Sequence, residues 1–275
     1  MDIRKIFCWK KEKSNNTLKK TLTNSDNERI LESQKSPIEV WDDNIGEMFK
    51  NHKFDNLPAN KKTYMELYHK MKKIMGLEDV KIEYVFNSIY GPATIIFKEV
   101  EDKYELNITV IMTCDSQIRC YIGSLAHELW HVKTSLELIK QIGIYEFAKL
   151  QKDIASEKHL AFNTISEYYS WYKAILDYNE QKCNYSLESR LYHYECGKIN
   201  SIALCDTIAA HCAWNKVYNE VSDYNSLSIE EKEFIRSIMQ IIMENTNKWP
   251  LTLEEFESIG KEMLKVFEFI DNKKR

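Results

Sequence analysis

Apolar and polar positions fall into three regimes along the chain. Residues 1 to 60 show little period. Lys11 to Lys35 is rich in Asn, Ser, Lys and Glu, and Trp9, Trp41 and Phe49 are the conspicuous anchors. This predicts a polar N-terminal arm, partly flexible. From 61 to 75, Tyr64, Leu67, Tyr68, Met71 and Ile74 recur at helical spacing, with Gly76 as a stop. From 81 to 112 the period drops to two. Lys81 to Phe86, Ala93 to Val100 and Tyr104 to Met112 predict three strands, separated by turns at Asn87 to Pro92 and at Glu101 to Lys103. Short connections predict a small antiparallel sheet.

Helical period then resumes. Ile118, Tyr121, Ile122, Leu125, Leu129 and Val132 share a face, after a cap at Asp115 or Ser116. No proline occurs from 93 to 249, and Gly123, Gly143 and Gly197 are the only glycines in that interval. Residues 117 to 247 therefore read as successive helices. Breaks are expected near Gly143, residues 179–186, Gly197 and residues 223–228. Ser228 to Glu231 resembles a capping box, and Thr252 caps a last helix. The expected fold is α+β: mainly helical, with the small sheet packed beside the helix that starts near Ile118. The expected organisation is an arm over 1–60, a core over 61–182 and a helical region over 183–275.

Composition sharpens this picture. Of 275 residues, 44% are hydrophobic, enough for a sizeable core. Only 4 Pro and 7 Gly are present, too few for a turn-rich β-sandwich. The 38 Lys+Arg and 42 Asp+Glu give a net charge of -4, so nothing points to an obligate nucleic-acid partner. No apolar run approaches the roughly 20 residues that span a bilayer, and the N-terminus lacks a secretory pattern. Cys8, Cys114, Cys120, Cys183, Cys196, Cys205 and Cys212 make an odd count without a CxxC pair. They read as reduced thiols in a cytoplasmic protein.

The chemistry centres on His127-Glu128-Leu129-Trp130-His131, an HExxH motif. About 0.02 such motifs are expected by chance in a chain with this histidine content. Residues four apart differ by about 40° around a helix, so both imidazoles project to one side. They can then share one Zn²⁺ at about 2.0–2.1 Å. Glu128 is offset by roughly 100°, placed to deprotonate a metal-bound water as general base. Trp130 points away by phase and is expected to hold this helix to the sheet. Zn²⁺ is the expected cofactor, although Mn²⁺ and Fe²⁺ accept the same donors.

A catalytic zinc normally has a third protein ligand. No further histidine follows at the extended-motif spacing, so an acid on a later helix is expected. Glu167 is the first choice. It shares a stripe with Leu160, Trp171, Ala174 and Tyr178, opposite an apolar face of Phe162, Ile165, Tyr169, Tyr172 and Leu176. An acid in such a stripe is costly to bury without a cation. The small residues Thr164, Ser170 and Ala174 would allow close helix approach. Glu157 competes for the same role, with Glu137 and Asp153 behind it. Tyr168, Tyr169, His159, His193 and His211 are candidate oxyanion donors. The stretch Asn107 to Met112 is a candidate sheet edge for pairing with an extended substrate.

A strand, an HExxH helix and a Glu on a following helix resemble the gluzincin arrangement. The resemblance is closest to the small bacterial and phage metallopeptidase domains of the ImmA/IrrE kind. In those, a helix reading roughly ExxAxxxA follows the motif, and Glu167 to Ala174 fits that outline with Ser170 at the first alanine. The resemblance covers about residues 80–180. It implies a zinc peptidase that cleaves a specific protein, such as a regulator, in the cytosol. It assigns His127, His131 and Glu167 to the metal and Glu128 to catalysis. The spacer from His131 to Glu167 is longer than in that outline, so Glu157 stays open. Two other classes also fit the residues: a zinc-dependent hydrolase of a non-peptide bond, and a peptidase-like regulatory or interaction protein without turnover. Neither a membrane partner nor an oligomeric state follows from the residues.

Overall fold

A computed structural model describes residues 61–86, 92–112, 118–178, 186–219 and 224–273. The expected arm over 1–60 and the cap at Asp115 or Ser116 lie outside the described residues. Helix α1 (Lys61–Ile74) buries Leu67, Tyr68 and Met71 along one stripe. It ends as expected at Gly76, whose φ of 68° is the left-handed conformation that closes a helix cheaply only without a Cβ. The Leu77 amide then donates back to the Lys72 carbonyl at 2.8 Å.

Strands β1 (Ile82–Phe86), β2 (Ala93–Val100) and β3 (Lys103–Met112) form one sheet in the order β1-β3-β2. Strands β2 and β3 are the expected hairpin. Its turn places Glu101 and Asp102 at φ 46° and 63°, the pair of positive values that matches strand twist. Strand β1, however, runs parallel to β3, pairing Ile82 with Ile108 through Phe86 with Met112. The sheet is therefore mixed and not purely antiparallel. Along β3 the side chains alternate, and Ile108, Val110 and Met112 line the core. The central position of β3 also corrects a second expectation. Ile108 to Met112 pair with β1 and Thr109 to Ile111 also with β2, so among the described residues β2 and β1 are the outer strands.

Helix α2 (Ile118–Lys152) lies on this sheet through Leu125, Ala126, Leu129 and Val132, all fully buried. Its regularity breaks at Gly143 (φ 82°, ψ 159°), where a kink was expected. The segment beyond sets Phe147 against Phe97 of β2 and Phe162 of the next helix. A further break at Asp153 to Ser156, which carries no Gly or Pro, was not anticipated.

Helix α3 (Glu157–Tyr178) is the axis of the molecule. Helices α2, α5 (Ser201–Tyr218), α6 (Ile229–Asn245) and α7 (Leu253–Lys273) all pack on it. Thr164, Ser170 and Ala174 are fully buried. The crossing with α7 is so tight that a Cβ at Gly260 would fall 2.0 Å from the Glu157 carbonyl oxygen. Short α4 (Leu187–Glu195) precedes α5 and stops at Gly197, φ 66°. Ser228 and Glu231 form the expected capping box of α6. Thr252 and Glu255 exchange the same two bonds at the start of α7. One apolar cluster runs from Leu67 to Ile270. No helix among the described residues is long and apolar enough to cross a membrane.

Candidate metal centre

Burial of Leu125, Leu129 and Val132 against the sheet sets the rotation of α2, and the rotation turns His127 and His131 toward α3. Their ring centroids lie 4.4 Å apart at 89°. Glu167 of α3 reaches between them. Its Oε2 sits 3.0 Å from His127 Nε2 and 3.4 Å from His131 Nε2. The three ligand atoms all lie within 4.8 Å of one another, a group able to hold a metal ion. The two Nε2 atoms are 2.9 Å apart. Two nitrogens bound tetrahedrally at about 2.05 Å would stand about 3.3 Å apart. Two imidazoles and one carboxylate are also a donor set that zinc accepts, so the residues present fit such an ion.

Neighbouring side chains orient these donors. His131 Nδ1 and Ser166 Oγ are hydrogen-bonded at 3.1 Å. His127 Nδ1 has no hydrogen-bond partner among the described residues. Its ring is held instead by Trp171, 4.2 Å away at 33°. Trp171 in turn packs on Trp214 of α5 at 5.5 Å.

Glu128 is only 6% exposed and stands apart from the three. The Thr94 hydroxyl donates to Glu128 Oε2 at 2.7 Å and lies 3.1 Å from the Glu128 carbonyl oxygen. A side chain of the edge strand β2 therefore sets where this carboxylate points.

Charge is distributed unevenly here. Burial alone would raise the Glu167 carboxyl, but the imidazoles of His127 and His131 hold it well below the usual carboxylate range. Burial alone would lower His131; the charge of Glu167 and its hydrogen bond, with Glu128 adding, raise it above 6.5. Asp206 of α5 accepts a hydrogen bond from Asn163, one turn before Glu167. Burial and then the Glu167 charge push the Asp206 carboxyl well above its ordinary value. The site is thus a pocket of excess acid in which protons, or another cation, are favoured.

The remaining candidates lie elsewhere. Glu157 opens α3 beside α7, where its charge is felt by Lys261, and it is outside the cluster. Glu137 and Asp153 are outside it too. His159 is buried and its Nδ1–H donates to the Leu150 carbonyl at 2.9 Å. His193 packs beside Tyr192, and His211 against Trp214 and Tyr224. Tyr168 and Tyr169 are turned about 100° and 200° around α3 from Glu167. Trp130 is half-buried against Tyr169 of α3, with Lys133 and Lys173 over its ring. Thr94, Ser166, Asn163 and Asp206 escape sequence reasoning, because each acts through a partner distant in the chain. Only Ser166 carried a signal, its place beside Glu167.

A scan against protein-family models gives no match, and no curated protein or solved structure is significantly similar to the chain. The reading of the site therefore rests on its own geometry: an HExxH helix and a distal glutamate, arranged as in gluzincin-type metallopeptidases.

Proposed function

We propose that the chain is a zinc-dependent peptidase acting on a specific protein, with His127, His131 and Glu167 as metal ligands and Glu128 as general base. The observation that carries this reading is the convergence of three ligand atoms from α2 and α3 within 4.8 Å, with Glu128 set beside them and outside the ligand set. A bound divalent ion would supply Lewis acidity to the scissile carbonyl and make water nucleophilic near neutral pH. The chain's residues do the rest. With Nε2 facing the ion, His131 Nδ1–H donates to Ser166, which fixes its tautomer. Glu128, held by Thr94, accepts a proton from the attacking water and returns it to the leaving amine. Strand β2 lies at the sheet edge beside Glu128, and an extended substrate pairing there would bring its backbone to the base.

The likeness to ImmA/IrrE-type domains favours a cytosolic regulator as substrate, and it rests on the motif and the Glu167 helix alone. The assignment of 61–182 to catalysis and 183–275 to substrate choice or regulation belongs to the same proposal.

The test pairs Glu128→Gln with elemental analysis and mass-spectrometric digestion of a peptide library. The variant should retain zinc and lose cleavage by about 10²–10⁴-fold. Cleavage at the wild-type rate would remove Glu128 from the mechanism, and a wild type that takes up no divalent ion would end the metal reading.

A further inference from the structure

The other side of α3 carries a cleft that the chemistry above does not use. Its volume is about 260 Å³. Two stacked aromatic pairs build it: Tyr168 with Tyr172 (5.8 Å, 7°) and Tyr169 with Trp249 (5.8 Å, 24°). Lys173 and Lys216 line it as well, and among the described residues no Asp or Glu does. Among the described residues neither ammonium has a carboxylate partner. Lys173 Nζ instead lies 5.5 Å from the Tyr169 ring centroid and 5.7 Å from that of Trp130. Glu137 of α2 acts on Tyr169 and is not among the lining residues of the cleft.

Both charged groups of the lining are donors, and Thr246, Asn247 and the tyrosine hydroxyls complete its polar side. Burial lifts the Tyr168 hydroxyl well above the usual tyrosine range, so it keeps its proton at any physiological pH. Lysine offers donors and no acceptor. Among the described residues, a cation would meet two like charges and no anionic partner. A neutral apolar ligand would likewise leave both ammonium groups without a counter-charge among the described residues. The rings favour a flat ligand, because stacked and edge contacts with Tyr and Trp reward planar groups. The volume sits just below the about 300 Å³ at which ordinary small-molecule pockets begin, which limits the ligand to about one ring.

We propose that this cleft is a binding site for a small planar anion: a single aromatic ring bearing a phosphate or a carboxylate. The ring lies against Tyr169, Tyr172 and Trp249, and the anionic group pairs with Lys173 and Lys216. The site is independent of the metal reading and stands or falls without it.

The test is isothermal titration of the full chain after chelator treatment and dialysis, so that no added anion can bind through a metal. Phenyl phosphate and benzoate are the ring-bearing probes; inorganic phosphate and phenol are the controls. One or both ring-bearing anions should bind one per chain, at least about tenfold more tightly than either control. Binding of phenyl phosphate alone assigns the phosphate source, and binding of benzoate alone assigns the carboxylate. The double variant Lys173→Gln, Lys216→Gln should weaken that binding by about tenfold or more while melting at the wild-type temperature. The proposal is overturned if neither ring-bearing probe binds, if inorganic phosphate binds as tightly, or if the double variant binds like wild type.

Discussion

The two sides of α3 carry opposite electrostatics on one backbone. On one side Asn163, Ser166 and Glu167 meet His127, His131 and Asp206. On the other, Tyr168, Tyr169, Tyr172 and Lys173 meet Trp249 and Lys216. The first side concentrates carboxyl groups and compensates them with imidazoles. The second concentrates rings and leaves two ammonium groups without carboxylate partners among the described residues. The contrast shows what a buried acid costs. Two imidazoles converge on one oxygen of Glu167 and hold its carboxyl down against burial, whereas at Asp206 burial and the Glu167 charge outweigh Asn163 and Arg190 and push the carboxyl up. A divalent ion on the first side would relieve both carboxylates.

The largest effect expected from breaking this contrast is at Glu167. Glu167→Ala should lose metal affinity by about 10³-fold or more, because one of the three proposed ligands would be gone. Glu157→Ala, ten positions earlier on the same helix, should bind zinc like wild type. Elemental analysis and chelator competition on both proteins measure this. Loss of zinc from the Glu157 variant with retention in the Glu167 variant would reverse the assignment.

This pair also marks how far the sequence could be read. His127 and His131 were legible because their spacing acts within one helix, and no tertiary contact is needed to put them on one side. Glu167 was legible as an acid in an otherwise apolar stripe. What separates it from Glu157 is tertiary: Glu157 lies where Gly260 brings α7 onto the α3 backbone. The mainly helical fold with its small sheet followed from period and from the rarity of Pro and Gly. The direction of β1 and the central place of β3 did not, since alternation looks the same in parallel and antiparallel pairs. With β3 in the centre of the sheet, Asn107 to Met112 is not a free edge among the described residues. Thr94 illustrates the same limit: a threonine in a strand is unremarkable until β2 takes the edge beside Glu128.

A smaller effect should follow from Ser166→Ala. The ion would keep its three ligands, but His131 would lose the group that orients its ring. Partners of this kind are typically worth 10–100-fold in metal affinity. Ser166→Thr, which keeps the hydroxyl, should recover part of the loss. An alanine variant with wild-type affinity would show that packing alone orients His131.

The smallest and most gradual effect is that of pH, and its sign distinguishes the metal-free protein from the loaded one. Glu167 and Glu128 raise His131 above its ordinary 6.5 despite burial. A group raised on folding stabilises the metal-free protein fully below its unfolded value, about 6.5, and that contribution is lost as pH rises through the folded value. Metal binding runs the other way, because the ion needs the neutral ring. Zinc affinity should therefore fall on acidification, approaching about tenfold per pH unit once pH drops below the folded value of His131. The depressed Glu167 acts in a different window: its contribution is present above 4.5 and is lost only as pH falls toward its folded value. Chelator competition from about pH 5.5 to 8, the range in which histidine titrates, measures the slope. In Glu167→Gln, without the charge that raises His131, the onset of the fall should move to lower pH. An onset unchanged in that variant would show that Glu167 does not control the imidazole, and the electrostatic contrast across α3 would lose its cause.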